Sequence, residues 1–237
     1  MNRSGNTPTN QADPSTDAFG ILLVDKPKGW TSHDVVAKLR TITGIKRIGH
    51  GGTLDPTATG LLVIGIGSAT KSLEQFVQGE KTYLAGVTLG ATSPTDDAEG
   101  ELTARPVAEP PDVARIRTTL KKFIGTQEQL PPVFSAIKTA GKKAYAEARA
   151  GREVERNPRL VTIRELDLVN YAYPELAART TVSKGTYIRA LARDIGEELG
   201  TGAYLSALRR ERVGAYSVEQ AHRLSELEHG WERFLIA

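Results

Sequence analysis

Arg47-Ile48-Gly49-His50-Gly51-Gly52-Thr53-Leu54-Asp55-Pro56-Thr57-Ala58-Thr59-Gly60-Leu61-Leu62 sets four glycines, a histidine and one carboxylate between two apolar runs. Gly49, Gly51 and Gly52 open backbone turns closed to other residues and let a ligand approach the main chain. Pro56 restricts Asp55 to extended geometry, which places the carboxylate on a loop before a strand and outside any helix. Leu61 to Ile66 is a short apolar run bounded by glycines, the pattern of a buried strand. A lone carboxylate on such a loop is a candidate reactive group. An Asp that only hydrogen-bonds its own turn has the same local pattern, and spacing alone leaves both readings open.

Working outward, Gly20 to Pro27 reads as a strand ended by proline. Thr31 and Asp34 form a capping pair for a helix with Val35, Val36, Leu39 and Ile42 on one face, stopped at Gly44. Ser68 is expected to cap a short helix ending at Gly79. Strand, Gly65 to Ser72 and helix imitate a phosphate-binding loop, but Thr70 stands where the second glycine is needed, which argues against nucleotide binding. Lys81 to Gly90 alternates as a strand, with Tyr83 either an inward core aromatic or a ring offered to a ligand. The acidic loop Thr95 to Glu101 invites a calcium reading. Thr95 at the first ligand position and Pro106 at the closing one argue against it.

A helix follows over Asp112 to Ile124 after Pro110-Pro111, and Leu130 to Pro132 cannot be helical. Between Lys138 and Arg164 eight basic residues face three acidic ones, a surplus of five that exceeds the whole chain's net +3. Such a segment suits a phosphate backbone, or equally a solvated helix face. Lys142 to Ala150 reads as a marginal helix on a movable excursion. Strands follow at Leu160 to Val169 and Glu175 to Val182. Then comes a helix with Arg189 on its first turn, where a cation is unfavourable unless an anion answers it; a surface arginine is the alternative. Gly202 to Arg210 is a second basic knot, Val213 to Ser217 a last strand, and Ser217 to Ala237 has helical character.

Composition narrows the classes. The 237 residues, 39% hydrophobic and 25% charged, suit a soluble globular protein large enough for a full core. With no cysteine, disulfides and thiolate chemistry are excluded, and a reducing cytoplasm fits. Residues 1–18 are polar, lack a signal-peptide core and are expected to be a disordered tail. His33, His50, His222 and His229 offer no ligand pair at metal-binding spacing.

Gly49-His50-Gly51-Gly52-Thr53-Leu54-Asp55-Pro56, with Lys81-Thr82-Tyr83 and Ser183-Lys184-Gly185-Thr186-Tyr187-Ile188-Arg189 in that order, resembles the TruB-type tRNA pseudouridine synthases. Leu23 to Pro27 and Pro131-Pro132 through Lys142-Lys143 are similar to further family segments, and the match runs from about Gly20 to Ser217. The resemblance implies an α+β fold, with a mixed, mainly antiparallel sheet, flanking helices and a basic RNA-clamping insertion over about residues 134–151. It implies isomerisation of uridine to pseudouridine at position 55 in the T arm of tRNA. No nicotinamide, ATP or metal cofactor is needed, since moving a ribosyl link from nitrogen to carbon changes no oxidation state.

By the same resemblance Asp55 matches the nucleophile, Tyr83 the tyrosine stacking on the target base and Arg189 the arginine paired with the aspartate. His50, Tyr187 and Leu208 match positions contacting the target nucleotide. Lys26, Lys138, Lys142, Lys143, Arg149, Arg209 and Arg210 are expected to contact RNA. The expected organisation is a catalytic domain over residues 19–217 and a short C-terminal helical segment over 218–237 without a PUA module, in a cytoplasmic monomer. Two other readings are an RNA-binding tRNA-folding factor and a guide-RNA-dependent synthase subunit.

Overall fold

The computed structural model describes residues 19–133, 138–139, 142–143 and 156–236. The first strand is β1 (Gly20–Lys26), followed by helix α1 (Ser32–Thr43). Its start is a capping box: Asp34 N–H donates to Thr31 Oγ1 at 3.0 Å and Thr31 N–H to the Asp34 carboxylate at 2.8 Å. Gly44 closes the helix in the left-handed region. Next come β2 (Ile48–His50) and β3 (Thr59–Ile66), with the glycine-rich loop between them. A 3-10 turn over Gly67–Ser72 leads into helix α2 (Leu73–Gln78), so Ser68 lies inside that turn and does not cap the helix.

The larger half contains β4 (Lys81–Leu89), the small pair β5 (Ala91–Thr92) and β6 (Thr103–Ala104), helix α3 (Val113–Lys122) and β7 (Gly125–Gln129). A ribbon of β8 (Lys138–Thr139) and β9 (Lys142–Lys143) follows, which makes Lys142 and Lys143 strand where helix was expected; residues 144–150 lie outside the described residues. β10 (Arg159–Ala172) and β11 (Glu175–Val182) form a hairpin before helix α4 (Ile188–Leu199). The basic knot and part of the expected last strand are one strand, β12 (Ala203–Val213), with β13 (Tyr216–Ser217) turning back on it.

The main sheet runs β1-β3-β12-β4-β11-β10-β7, with β2 on β3 and β13 on β12. Among the described strands every pairing is antiparallel except β12 on β3, where Arg209 faces Thr59 and Arg210 faces Gly60. This bears out the mixed, mainly antiparallel α+β class. That short parallel contact joins the N-terminal half of the sheet to the larger half. The loop carrying Asp55 leads straight into it.

Burial explains the patterning. β3 is apolar without alternation because both its faces are covered. Leu62 and Ile64 pack with Val35, Val36 and Leu39 of α1. Leu61 and Val63 pack on the other side with Leu73, Val213 and Val218. The larger half buries Ile116 and Leu120 of α3 and Leu191, Ile195 and Leu199 of α4 against Val87, Ile163, Leu176 and Val182. Each such side chain contributes about 1.5–3 kcal/mol of transfer free energy.

The last residues are not one helical segment. Short turns at Val218–Gln220, Leu224–Leu227 and Trp231–Phe234 alternate with extended residues, and Val24 and Ile21 of β1 form bridges to His222 and Ile236. Leu227 and Trp231 are buried in the core beside α1. Residues 1–18 lie outside the described residues. Among the described residues no helix is long and apolar enough to cross a membrane.

Candidate active site

Asp55 stands on a loop whose main chain is held at many points. Leu54 is buried, and its N–H and C=O both meet the Ser32 hydroxyl, at 2.9 and 3.3 Å. Gly51 N–H donates to Val63 O at 2.8 Å, and Gly29 N–H to Pro56 O at 2.8 Å. The Asp55 carbonyl accepts from Ala58 N–H at 3.1 Å and closes the turn. Its carboxylate points elsewhere: Oδ2 lies 3.2 Å from Arg189 Nε, and the side chain remains 42% exposed.

Arg189 reaches it from the first turn of α4, with a side chain only 10% exposed. The unfavourable position of a cation at a helix start is answered here by two carboxylates. Arg189 Nη1 also donates to Asp97 Oδ2 and to the Thr95 carbonyl, both at 3.2 Å. Asp97 is buried and accepts in addition from Thr95 Oγ1 at 2.6 Å and from Glu99 N–H at 3.0 Å.

One turn along α4, Arg193 repeats the motif with Asp96 at 2.7 Å, and it also donates to Asp194 and to the Leu130 carbonyl. Burial pushes the carboxyls of Asp96 and Asp194 up, against the pull of Arg193. No side chain of the helix caps its own start. The buried Gln129 does so from β7, accepting from Tyr187 N–H at 2.8 Å and donating to Tyr187 O at 3.1 Å.

Between these two arms lies a cleft of about 200 Å³, lined by Lys28, Asp55, Thr57, Ala58, residues 97–99, Arg189 and residues 205–208, so that Asp97 borders it as well as Asp55. Of the residues expected from sequence, Asp55, Arg189 and Leu208 meet on its wall. Tyr83 does not line it; the ring is half-buried against the larger core, on a β4 residue paired with Arg210 of β12. His50 is half-buried on β2, and its Nδ1 is buried without a partner. Burial first, then the charges of Arg210 and His33, hold that imidazole below its usual 6.5, so it is neutral at pH 7. Tyr187 is half-buried directly before the helix that carries Arg189.

The expected RNA contacts divide. Lys26 is fully buried and donates to the carbonyls of Trp30 at 2.6 Å, Pro27 at 3.0 Å and Pro56 at 3.3 Å. Burial pulls its ammonium from 10.5 down to about 8, against an opposing pull from Asp55. Arg210 is 1% exposed and among the described residues donates only to main-chain carbonyls. Neither is a surface phosphate contact, which corrects the reading of both. Both side chains are buried and turned onto main-chain carbonyls of the Asp55 loop and its neighbours. Arg209, half-exposed, forms a two-point ion pair with Asp25 at 3.0 and 2.8 Å. Lys138, Lys142 and Lys143 lie on the β8–β9 ribbon, and Arg149 lies outside the described residues.

Sequence reasoning missed Asp96, Asp97 and Arg193. A signal existed: Arg189 and Arg193 are like charges at i,i+4 on a helix, an arrangement that repels unless acids answer it. The adjacent acids of residues 96–97 were the unassigned acids of the calcium-like loop.

The profile of the TruB family pseudouridylate synthase N-terminal domain matches residues 40–188. That of the tRNA pseudouridylate synthase B C-terminal domain matches residues 189–233. The chain is 49% identical over 218 residues to tRNA pseudouridine synthase B of Thermobifida fusca, covering 89% of this chain and 74% of that one. It is 46% identical over 227 residues to the same enzyme of Ralstonia nicotianae, covering 93% and 72%. Among solved structures it is similar to a chain of a Cbf5-Nop10-Gar1 complex, with a TM-score of 0.72 and 30% identity. It is likewise similar to one of an H/ACA RNP bound to a substrate RNA containing 2'-deoxyuridine, with a TM-score of 0.69 and 27% identity. Both likenesses cover 90% of this chain, which spans about half the length of those solved chains, 54% and 53%.

Proposed function

The chain belongs to the TruB family of pseudouridylate synthases and is a tRNA pseudouridine synthase, and from that premise we propose that it acts on uridine 55 in the T arm, with Asp55 as the nucleophile. One observation carries the assignment of Asp55: its carboxylate opens into the cleft while meeting Arg189 at 3.2 Å. Asp97, a second carboxylate on that arginine, also borders the cleft but is buried and already accepts from the Thr95 hydroxyl, the Glu99 N–H and Arg189.

In the isomerisation the N1–C1′ bond breaks, uracil turns, and a C5–C1′ bond forms; C5 gives up a proton and N1 ends with one. Nothing is oxidised or reduced. Asp55 attacks the detaching nucleotide and leaves when the carbon link has formed, while Arg189 holds the carboxylate in line and stabilises its charge. The small volume of the cleft suits one base and its sugar, and a drug-sized ligand would need roughly 300–1,000 Å³. A base from a folded T loop must therefore be flipped into it, at a cost of roughly a few kcal/mol. Contact with Leu208 on the cleft wall offsets part of that cost. Lys138, Lys142 and Lys143 contact the phosphates, with Arg209 adding a contact beside Asp25. We assign the enzyme to the cytoplasm as a monomer.

The test is pseudouridine formation in a T-arm stem-loop by wild type and Asp55→Asn. Undiminished activity in the variant overturns the nucleophile assignment. The fold likeness to a Cbf5 chain favours a second reading, a subunit of a guided particle, which predicts no reaction on free tRNA. The 46–49% identity to tRNA pseudouridine synthase B, against 30% to that chain, weighs for direct action on tRNA.

A further inference from the structure

Arg210 has the bulkiest fully buried side chain among the described residues, and no carboxylate there lies within ion-pair distance of it. A buried charge without a counter-charge is costly unless every donor finds an acceptor in good geometry. Among the described residues its acceptors are all on the Asp55 loop and its exit. Nη2 donates to Gly52 O at 3.0 Å, Nη1 to Thr53 O at 3.4 Å and Nε to Leu61 O at 2.8 Å. One side chain thus grips the loop before Asp55 and again after it.

The glycines are shaped to this grip. Gly60, at φ +100°, pairs with Arg210 across the parallel contact, and a Cβ there would lie 2.3 Å from Arg210 O. Gly52, at φ +127°, adopts a backbone that frees its carbonyl to face the guanidinium, whose Nη1 lies 3.5 Å from where a Cβ would be. The planar fork of an arginine spreads its donors over three nitrogens and so reaches carbonyls on both sides of Asp55, whereas a lysine presents all its donors at one nitrogen. Arg210 also contributes to keeping His50 neutral, so its charge is felt across the same loop.

We infer that Arg210 is a positioning residue for the reaction: it pins both feet of the Asp55 loop and thereby sets where the carboxylate stands relative to Arg189 and the substrate. The inference rests on the reading of Asp55 as the reacting carboxylate. It replaces the expectation that Arg210 binds RNA phosphate.

The experiment compares wild type, Arg210→Lys and Arg210→Met, at a temperature where melting curves show each variant folded. A T-arm stem-loop is the substrate, and three quantities are read: kcat against KM, the salt dependence of RNA binding, and amide exchange by NMR. Loss of the clasp lowers kcat by about 10- to 100-fold, the scale of a misplaced catalytic group. KM and the salt slope stay near wild type, and exchange accelerates at Leu54 and Ala58 but not in β4 and β11. Lys, which keeps the charge, retains more activity than Met. If Met does not fold, the Lys variant carries the test.

Unchanged kcat overturns the inference. So does weakened binding with the salt slope reduced by about 0.7–0.9, the mark of one lost phosphate contact. Exchange rising uniformly over the sheet would mean a general structural role and overturns it too. If wild type forms no pseudouridine, the proposed function fails separately, and exchange at Leu54 and Ala58 still decides whether Arg210 pins the loop.

Discussion

Two loops bring a carboxylate to the same guanidinium, and they are built in opposite ways. The loop of residues 52–58 is held through its main chain by cations from elsewhere, Lys26 on Pro56 and Arg210 on Gly52 and Thr53. The loop of residues 93–99 is held largely by its own side chains: Ser93 meets Thr95 at 2.9 Å, and Asp97 takes the Thr95 hydroxyl and the Glu99 N–H. Each loop places an oxygen 3.2 Å from Arg189. Asp97 is 6% exposed and Asp55 42%. An ionised carboxylate has about four acceptor positions, and whether they are already occupied decides what it is free to do. Asp97 has given most of its capacity to the protein, accepting from Thr95, Glu99 and Arg189. Asp55 has kept its capacity for something that enters the cleft.

The largest effect expected from this contrast is on chemistry. Asp55→Asn should lower single-turnover pseudouridine formation by on the order of 10³-fold or more, the scale of losing a nucleophile. Its melting temperature should stay close to wild type. Asp97→Asn should divide the damage differently, with a loss of roughly tenfold in kcat as Arg189 loses one anchor. Stability should fall by about 1–3 kcal/mol, as for a buried hydrogen-bonded charge. The pair is measured by the same assay and by thermal melting. If Asp97→Asn matches Asp55→Asn in activity and costs no stability, the two loops are not doing different jobs.

Arg193→Gln acts on the second loop through Asp96, and also frees Asp194 and the Leu130 carbonyl. It strips buried Asp96 of its nearest cation and should cost about 2–3 kcal/mol at neutral pH, below the full value for a completely buried pair because Arg193 keeps some exposure. The sign of its pH dependence follows from burial. The Asp96 carboxyl is held above 3.8 in the folded state, so its contribution is complete below 3.8 and is lost as pH rises through the folded value. Removing Arg193 raises that value further. The deficit in melting temperature should therefore be largest near pH 7 and shrink toward pH 4; a deficit independent of pH would contradict the pairing. The smallest effect is a control outside both loops. Thr31→Ala removes the hydroxyl half of the capping box and should cost about 1 kcal/mol in melting experiments, with kcat unchanged.

Much of the fold was legible because it follows local rules. β1, α1 with its Thr31 and Asp34 cap, β4 and the β10–β11 hairpin all lie where periodicity and glycine placed them. The sequence pattern of β12 is fragmentary for a physical reason. Its pairing with β4 slips between Leu205 and Ala207 and again between Arg210 and Arg212, so the alternation that marks a strand is broken twice within eleven residues. The C-terminal residues have helical character in sequence because their short turns carry helical spacing. What orders them is a set of bridges to β1 some two hundred residues earlier, which no local window contains.

The sequence by itself determined that a glycine-framed aspartate precedes a buried strand, and that Arg189 opens a helix in want of an anion. Local backbone chemistry and charge placement are enough for both. Only the tertiary structure decided which anions those are, that Asp97 shares the arginine, and that Lys26 and Arg210 are turned inward to hold the loop. Burial is a property of distant segments brought together, and whether a charged side chain serves solvent, RNA or the backbone depends on which carbonyls the fold leaves within its reach.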